Sequence, residues 1–162
     1  MLYYGLVYQK KVWGDMKLEE IQDLWTEDCN WQDDLLDEEL LRIPRLHTKY
    51  YKIFSQERLL LVKLKSDMKV LVGEKWEYYL GDMPQEDLQE KGWEPFLKKP
   101  LKADIPRYIE ADKDIIALNL KVSYQQEKVN FLDDIIKSLT ARGYNIKGAI
   151  EWRKFTNMNG AF

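Results

Sequence analysis

The sequence has 162 residues, 45% apolar and 33% charged, enough for one core beneath a densely charged surface. A single cysteine, Cys29, excludes an internal disulfide and fits a reducing cytoplasm; with one histidine, His47, it argues against a zinc site built by this chain. Eight glycines and five prolines disfavour a fold of many short strands, no apolar run is long enough to cross a membrane, and a net charge of −3 gives no bulk attraction for a polyanion.

Residues 1–15 (MLYYGLVYQKKVWGD) differ in character from the rest of the chain. They lack a small-residue cleavage site, and the basic pair Lys10-Lys11 comes after the apolar stretch instead of preceding it, so they do not read as a signal peptide. Trp13-Gly14-Asp15 requires purine-rich codons just ahead of an ATG, as a ribosome-binding site would. The expectation is that 1–15 is an upstream extension and that native translation starts at Met16; intact mass of the protein from its native gene tests this.

Leu18, Ile21, Leu24 and Trp25 recur at helical spacing and predict a short amphipathic helix over 17–29. A second short segment, Asp34 to Leu41, is expected to end at Ile43-Pro44, with Pro44 opening the next helix as a first-turn residue. Leu46, Tyr50, Ile53, Leu60, Leu64, Met68, Leu71 and Tyr78 trace one face of a long helix over 45–79, closed by Gly81 and Pro84. Residues 82–111, with Pro84, Pro95, Pro100 and Pro106, read as an irregular connector with one helical turn at 85–91, pinned by Trp93 and Phe96.

Ile115, Leu118, Val122, Gln125, Val129, Leu132, Ile136 and Leu139 then alternate steps of three and four. This is the seam of a coiled coil or bundle, with one polar member, Gln125, able to select register, and it is the candidate oligomer interface. Gly143 is expected to stop that helix and Asn145 to cap a short last one through Phe155. The chain is therefore expected to be all-α, with a helical region over 16–81, the connector over 82–111 and oligomerisation helices over 112–162.

Charge is segregated along the chain. Residues 16–41 hold ten acids against one base, a net of −9, and residues 42–75 hold nine Lys and Arg against three acids, a net of +6. A basic block inside an acidic protein is an electrostatic footprint. Lys49, Lys52, Arg58, Lys63, Lys65, Lys69 and Lys75 alternate there with Tyr50, Tyr51, Phe54, Trp76, Tyr78 and Tyr79. Cations that neutralise phosphates beside rings on which bases stack are what sequence-tolerant single-strand binding requires. The competing reading is a solvated helix face over core aromatics.

Catalytic chemistry finds little footing. There is no Gly-rich phosphate loop, no partner for His47 as an acid or base, and only the pairs Asp33-Asp34 and Asp133-Asp134 as cation ligands. The expectation is a protein that is not an enzyme and has no metal or cofactor.

The stretch Met16 to Phe54 resembles the N-terminal half of UvsY-type recombination mediators of tailed phages, and Leu46-His47-Thr48-Lys49-Tyr50 is similar to a recurring Leu-x-Ser/Thr-Lys-aromatic element there. Glu77-Tyr78-Tyr79-Leu80-Gly81, Asp112-Lys113-Asp114 and the run Ile136 to Lys147 resemble later elements of the same family in the same order. The resemblance implies an all-helical, ring-forming accessory protein of roughly six or seven copies, acting in the cytoplasm of an infected bacterium. It further implies binding to single-stranded DNA, remodelling of the phage single-strand-binding protein, and support for a RecA-like recombinase. The family's Leu-Lys-Ala-Arg DNA-contact motif falls on Val72-Gly73-Glu74-Lys75, where only Lys75 keeps a cation; Arg58, Lys63 and Lys69 are the compensating candidates. A non-catalytic coiled-coil scaffold is the alternative.

Overall fold

The computed structural model describes residues 16–30 and 35–159. The expectation that 1–15 is an upstream extension, and the pair Asp33-Asp34, concern residues outside that range. Among the described residues all regular structure is helical: α1 (Leu18–Cys29), α2 (Leu36–Leu80), α3 (Gln85–Lys91), a 3-10 turn (Lys102–Asp104), α4 (Ile105–Glu110) and α5 (Lys113–Asn159). No described helix is long and apolar enough to cross a membrane.

Two of these helices outrun their expected ends. Pro44 lies inside α2, not at its start, and the segment from residue 36 continues through it. An interior proline removes one backbone bond and crowds the preceding turn, at about 3 kcal/mol. Anchors on both sides hold the helix: Leu36 and Glu39 are buried before the proline, and Leu46, Tyr50 and Ile53 after it. Gly143 likewise fails to stop α5, which runs on to Asn159. A mid-helix glycine costs about 1 kcal/mol, and the buried Ile146 one turn later offsets it. Gly81 does terminate α2, at φ +80°, with the Gly81 and Asp82 N–H groups donating to the Tyr78 and Glu77 carbonyls.

The described chain divides into two compact units, each built partly from α2 and partly from α5. Unit 1 takes α1, α2 up to Leu59 and α5 from Glu127. Its core joins Met16 and Ile21 to Leu46, Tyr50 and Ile53 of α2 and to Leu132, Ile135 and Leu139 of α5. Two polar ties cross this core. Lys128 Nζ meets Glu57 Oε2 at 2.8 Å with both side chains buried, and Arg142 Nη2 donates to Glu39 Oε2 at 2.9 Å. Arg142 also donates to the Asp28 carbonyl, holding the end of α1 in place.

Unit 2 comprises Leu60–Gln126. Tyr79, Ile105, Ile109 and Ile115 form its core, with Met68, Leu71, Tyr78, Phe96 and Tyr108 packed around them. The connector holds the expected helical turn at 85–91 as α3, and it is more regular than expected in also holding α4, which starts with Pro106 in its first turn. Trp93 and Phe96 anchor it, with ring centroids 5.3 Å and 5.7 Å from Tyr78.

The heptad seam is largely spent inside the chain. Leu132 and Leu139 lie in the core of unit 1, and Ile115 lies in that of unit 2. Ile136 packs on the first core, Gln125 and Val129 are buried, and Leu118 and Val122 are half-buried. Alternating apolar residues specify a helical partner without naming it, and here the partner is the chain's own α2, running in the opposite direction within each unit.

Candidate nucleic-acid interface

The candidate cations on α2 separate by which way the helix turns them. In unit 1, Lys49 reaches Asp28, with Nζ 2.6 Å from Oδ2, and the Tyr50 hydroxyl donates to the same oxygen at 2.9 Å. Arg42 Nη2 lies 3.2 Å from the other oxygen. Burial opposes ionisation of Asp28, but the hydrogen bonds from Lys49 and Tyr50 and the charges of Lys49 and Arg42 outweigh it, holding the carboxyl below its usual range. The Tyr50 hydroxyl is pushed well above the tyrosine range, first by burial and then by that hydrogen bond. Lys49 is thus part of the clamp between α1 and α2. Lys52 and Arg58 are exposed and form no ion pair with any described residue.

In unit 2, Lys63 and Lys69 are exposed and similarly unpaired among the described residues. Lys65 is exposed and donates to Gln126 Oε1 at 2.8 Å; that neutral partner leaves its charge uncancelled. Lys69 and Trp76 stand seven residues apart, on one stripe of the helix, and Trp76 is exposed as well.

Lys75 is different. It is 3% exposed, with Nζ 3.0 Å from Asp112 and 2.6 Å from Asp114, and it lies 3.8 Å over the Trp93 ring. The Tyr79 hydroxyl donates to Asp112 Oδ2 at 2.8 Å, while Asp112 Oδ1 accepts the N–H groups of Asp114 and Ile115 and so caps α5. Desolvation opposes the charge on Asp112, but hydrogen bonds from Lys75 and Tyr79 prevail and keep its carboxyl low. An ammonium held by two carboxylates and a ring presents no cation to a phosphate. The sequence reading of Lys75 as a contact is therefore corrected: six residues beyond Lys69, α2 has turned it onto the core. Glu74 is also engaged, to Lys91 at 2.8 Å.

Asp112 is the residue that sequence reasoning did not single out by chemistry. Its signal was an acid immediately ahead of a long helical pattern, which is a helix-cap signature. His47 is half-buried and stacked on Tyr51 at 5.9 Å between centroids, which supports a packing role. Cys29 is exposed, and no group of three or more metal-ligating side chains forms among the described residues.

A family model described as "Recombination, repair and ssDNA binding protein UvsY" matches residues 24–159. The recombination protein uvsY of Enterobacteria phage T4 is 21% identical over 140 residues, which is 86% of this chain and 97% of that protein. Two crystal structures of the bacteriophage T4 recombination mediator protein UvsY superpose with TM-scores of 0.76 and 0.77, each at 21% identity. They cover 86% and 88% of this chain, and 99% and 98% of theirs. At that identity the structural likeness speaks for the all-helical fold.

Proposed function

The chain belongs to the UvsY family of recombination, repair and single-stranded-DNA-binding proteins, and from that premise we propose that it is a mediator that binds single-stranded DNA and loads a RecA-like recombinase. Its substrate is a strand already covered by the phage single-strand-binding protein, in phage recombination and repair. The observation that carries this reading is that each unit keeps exposed cations of α2 with no ion pair to a described residue, Lys52 and Arg58 in unit 1 and Lys63 and Lys69 in unit 2.

Mediation of this kind breaks no covalent bond. It requires a surface that holds one conformation of the strand better than a competing protein does, so that the population shifts toward the state a recombinase can use. Lysines on one helix supply phosphate contacts without reading base edges, so binding is nearly indifferent to sequence. Assembly into a ring of identical copies belongs to the same reading, because linked weak sites gain avidity. With the heptad seam largely consumed inside the chain, one apolar stripe that unit 2 offers a second copy is Ile116 and Leu120, exposed four residues apart on α5.

The test pairs a salt titration with a loading assay. Lys63→Ala with Lys69→Ala should lower the single-strand salt slope by roughly 0.7 per lost phosphate contact and site, with helicity unchanged. It should also slow recombinase assembly on strands coated with the single-strand-binding protein. Parallel salt lines for wild type and variant would remove α2 from the reading. Salt-insensitive retention would favour a scaffold instead.

A further inference from the structure

Unit 1 holds a surface that the α2 lysines do not explain. An open pocket of about 320 Å³ lies where the start of α2 meets the last third of α5. Leu40, Ile43 and Pro44 supply aliphatic surface from α2, and Gly143, Tyr144 and Lys147 line it from α5. Lys147 is the charged member of that lining, and it forms no ion pair with a described residue. A Cβ on Gly143 would stand 3.7 Å from Ile43 Cδ1, so a longer side chain there would occupy the space.

Beyond the pocket, the same helix leaves large rings in water. Tyr144 is 73% exposed, Trp152 66% and Phe155 59%, and the last two lie 6.0 Å apart at 32°. At 100° per residue, Tyr144, Gly148, Trp152 and Phe155 share one side of α5 with the exposed Glu151, and Lys147 and Lys154, two cations against that one acid, lie along its edge. A seam between helices would be built from aliphatic residues at these positions. Flat rings bordered by unpaired cations match a polymer of flat bases and phosphates.

We propose that the pocket and the aromatic side of α5 form a base-stacking site for single-stranded DNA. Tyr144 stacks an unpaired base against the surface of Ile43 and Pro44, Trp152 and Phe155 stack bases farther along, and Lys147 and Lys154 neutralise the adjoining phosphates. This rests on the reading of the chain as a single-strand binder and adds a site at which the bases, not only the phosphates, are held. A duplex is excluded from it, because paired bases are already stacked and keep their faces covered.

The test uses the full chain, with Tyr144→Ala, Tyr144→Phe and Gly143→Leu, on a mixed-sequence strand and an abasic strand of equal length. Tyr144→Ala should weaken binding to the normal strand roughly fivefold or more, leaving the abasic affinity and the salt slope as in wild type. Gly143→Leu, which fills the pocket, should act in the same direction, and Tyr144→Phe should retain wild-type binding. Equal losses on both strands, or none on either, would overturn the site. A change in native mass for both Tyr144→Ala and Gly143→Leu would also overturn it, by making this face a contact between copies. Failure of the wild type to bind either strand at low salt would instead bring down the single-strand reading itself.

Discussion

Lys69 and Lys75 lie six residues apart on α2 in the same unit, and they do opposite work. Lys69 stands in solvent with no ion pair to a described residue; Lys75 is 3% exposed between Asp112 and Asp114, with Trp93 beneath it. In a sequence both are lysines in a basic, aromatic-rich block. The difference is a rotation about the helix axis, and it decides whether a cation is structural or available. A family motif that places a cation at a given position therefore does not guarantee that the cation faces out.

The largest effect expected from this contrast is on stability. Lys75→Ala leaves Asp112 buried without its ammonium partner, a change that typically costs about 3–5 kcal/mol. Lys69→Ala, on a solvated face, should stay within about 0.5 kcal/mol of wild type. Urea denaturation followed by circular dichroism separates the two, and equal midpoints would erase the distinction. Lys128→Ala extends the contrast to unit 1, where it removes a buried ion pair with Glu57; it should destabilise by more than Lys69→Ala does.

The next effect is on acid stability. Asp112 is held below its unfolded value, so its ionised form favours the folded state. That contribution is complete above the unfolded carboxylate pKa near 3.8 and is lost as pH falls through the lower folded value. Asp28 behaves the same way in unit 1. Asp112→Asn should therefore lower stability near neutral pH and flatten its decline between about pH 5 and pH 2. An acid limb as steep as that of wild type would mean that Lys75 and Tyr79 do not favour the ionised carboxylate.

These contrasts mark what the sequence could and could not convey. The periodic faces were legible because burial repeats at helical spacing: Leu46, Tyr50 and Ile53 are core in unit 1, and Met68 and Leu71 pack on the core of unit 2. Gly81 was legible because a left-handed residue after an apolar face has few other uses. Pro44 and Gly143 misled, since a local penalty of about 1–3 kcal/mol is small beside the burial of anchors on both sides. The heptad seam packs largely within the chain, and its partner was out of reach, because an apolar stripe fits any complementary helix. At the candidate site the residue types were visible and their rotation was not: Lys49 pairs with Asp28, and Lys75 with Asp112, through contacts between residues far apart in sequence.

Lys65 is the intermediate case and gives the smallest and most discriminating effect. It is exposed like Lys69, yet its ammonium donates to Gln126 Oε1 at 2.8 Å. If any hydrogen-bonded partner withdrew a lysine from DNA, Lys65 would behave like Lys75, and Lys65→Ala would leave the salt slope unchanged. A neutral amide cancels no charge, however, and an exposed ammonium keeps donors free for a phosphate oxygen. Lys65→Ala should therefore lower the single-strand slope by about 0.7, which between 50 and 200 mM salt is roughly a 2.6-fold smaller loss of affinity. Its stability should shift by less than about 0.5 kcal/mol, since only an exposed hydrogen bond is lost. Lys65→Arg, which keeps the charge on a different donor geometry, should retain the wild-type slope. A slope unchanged in Lys65→Ala but reduced in Lys69→Ala would show that occupancy by any partner, and not charge cancellation, removes a lysine of α2 from the strand.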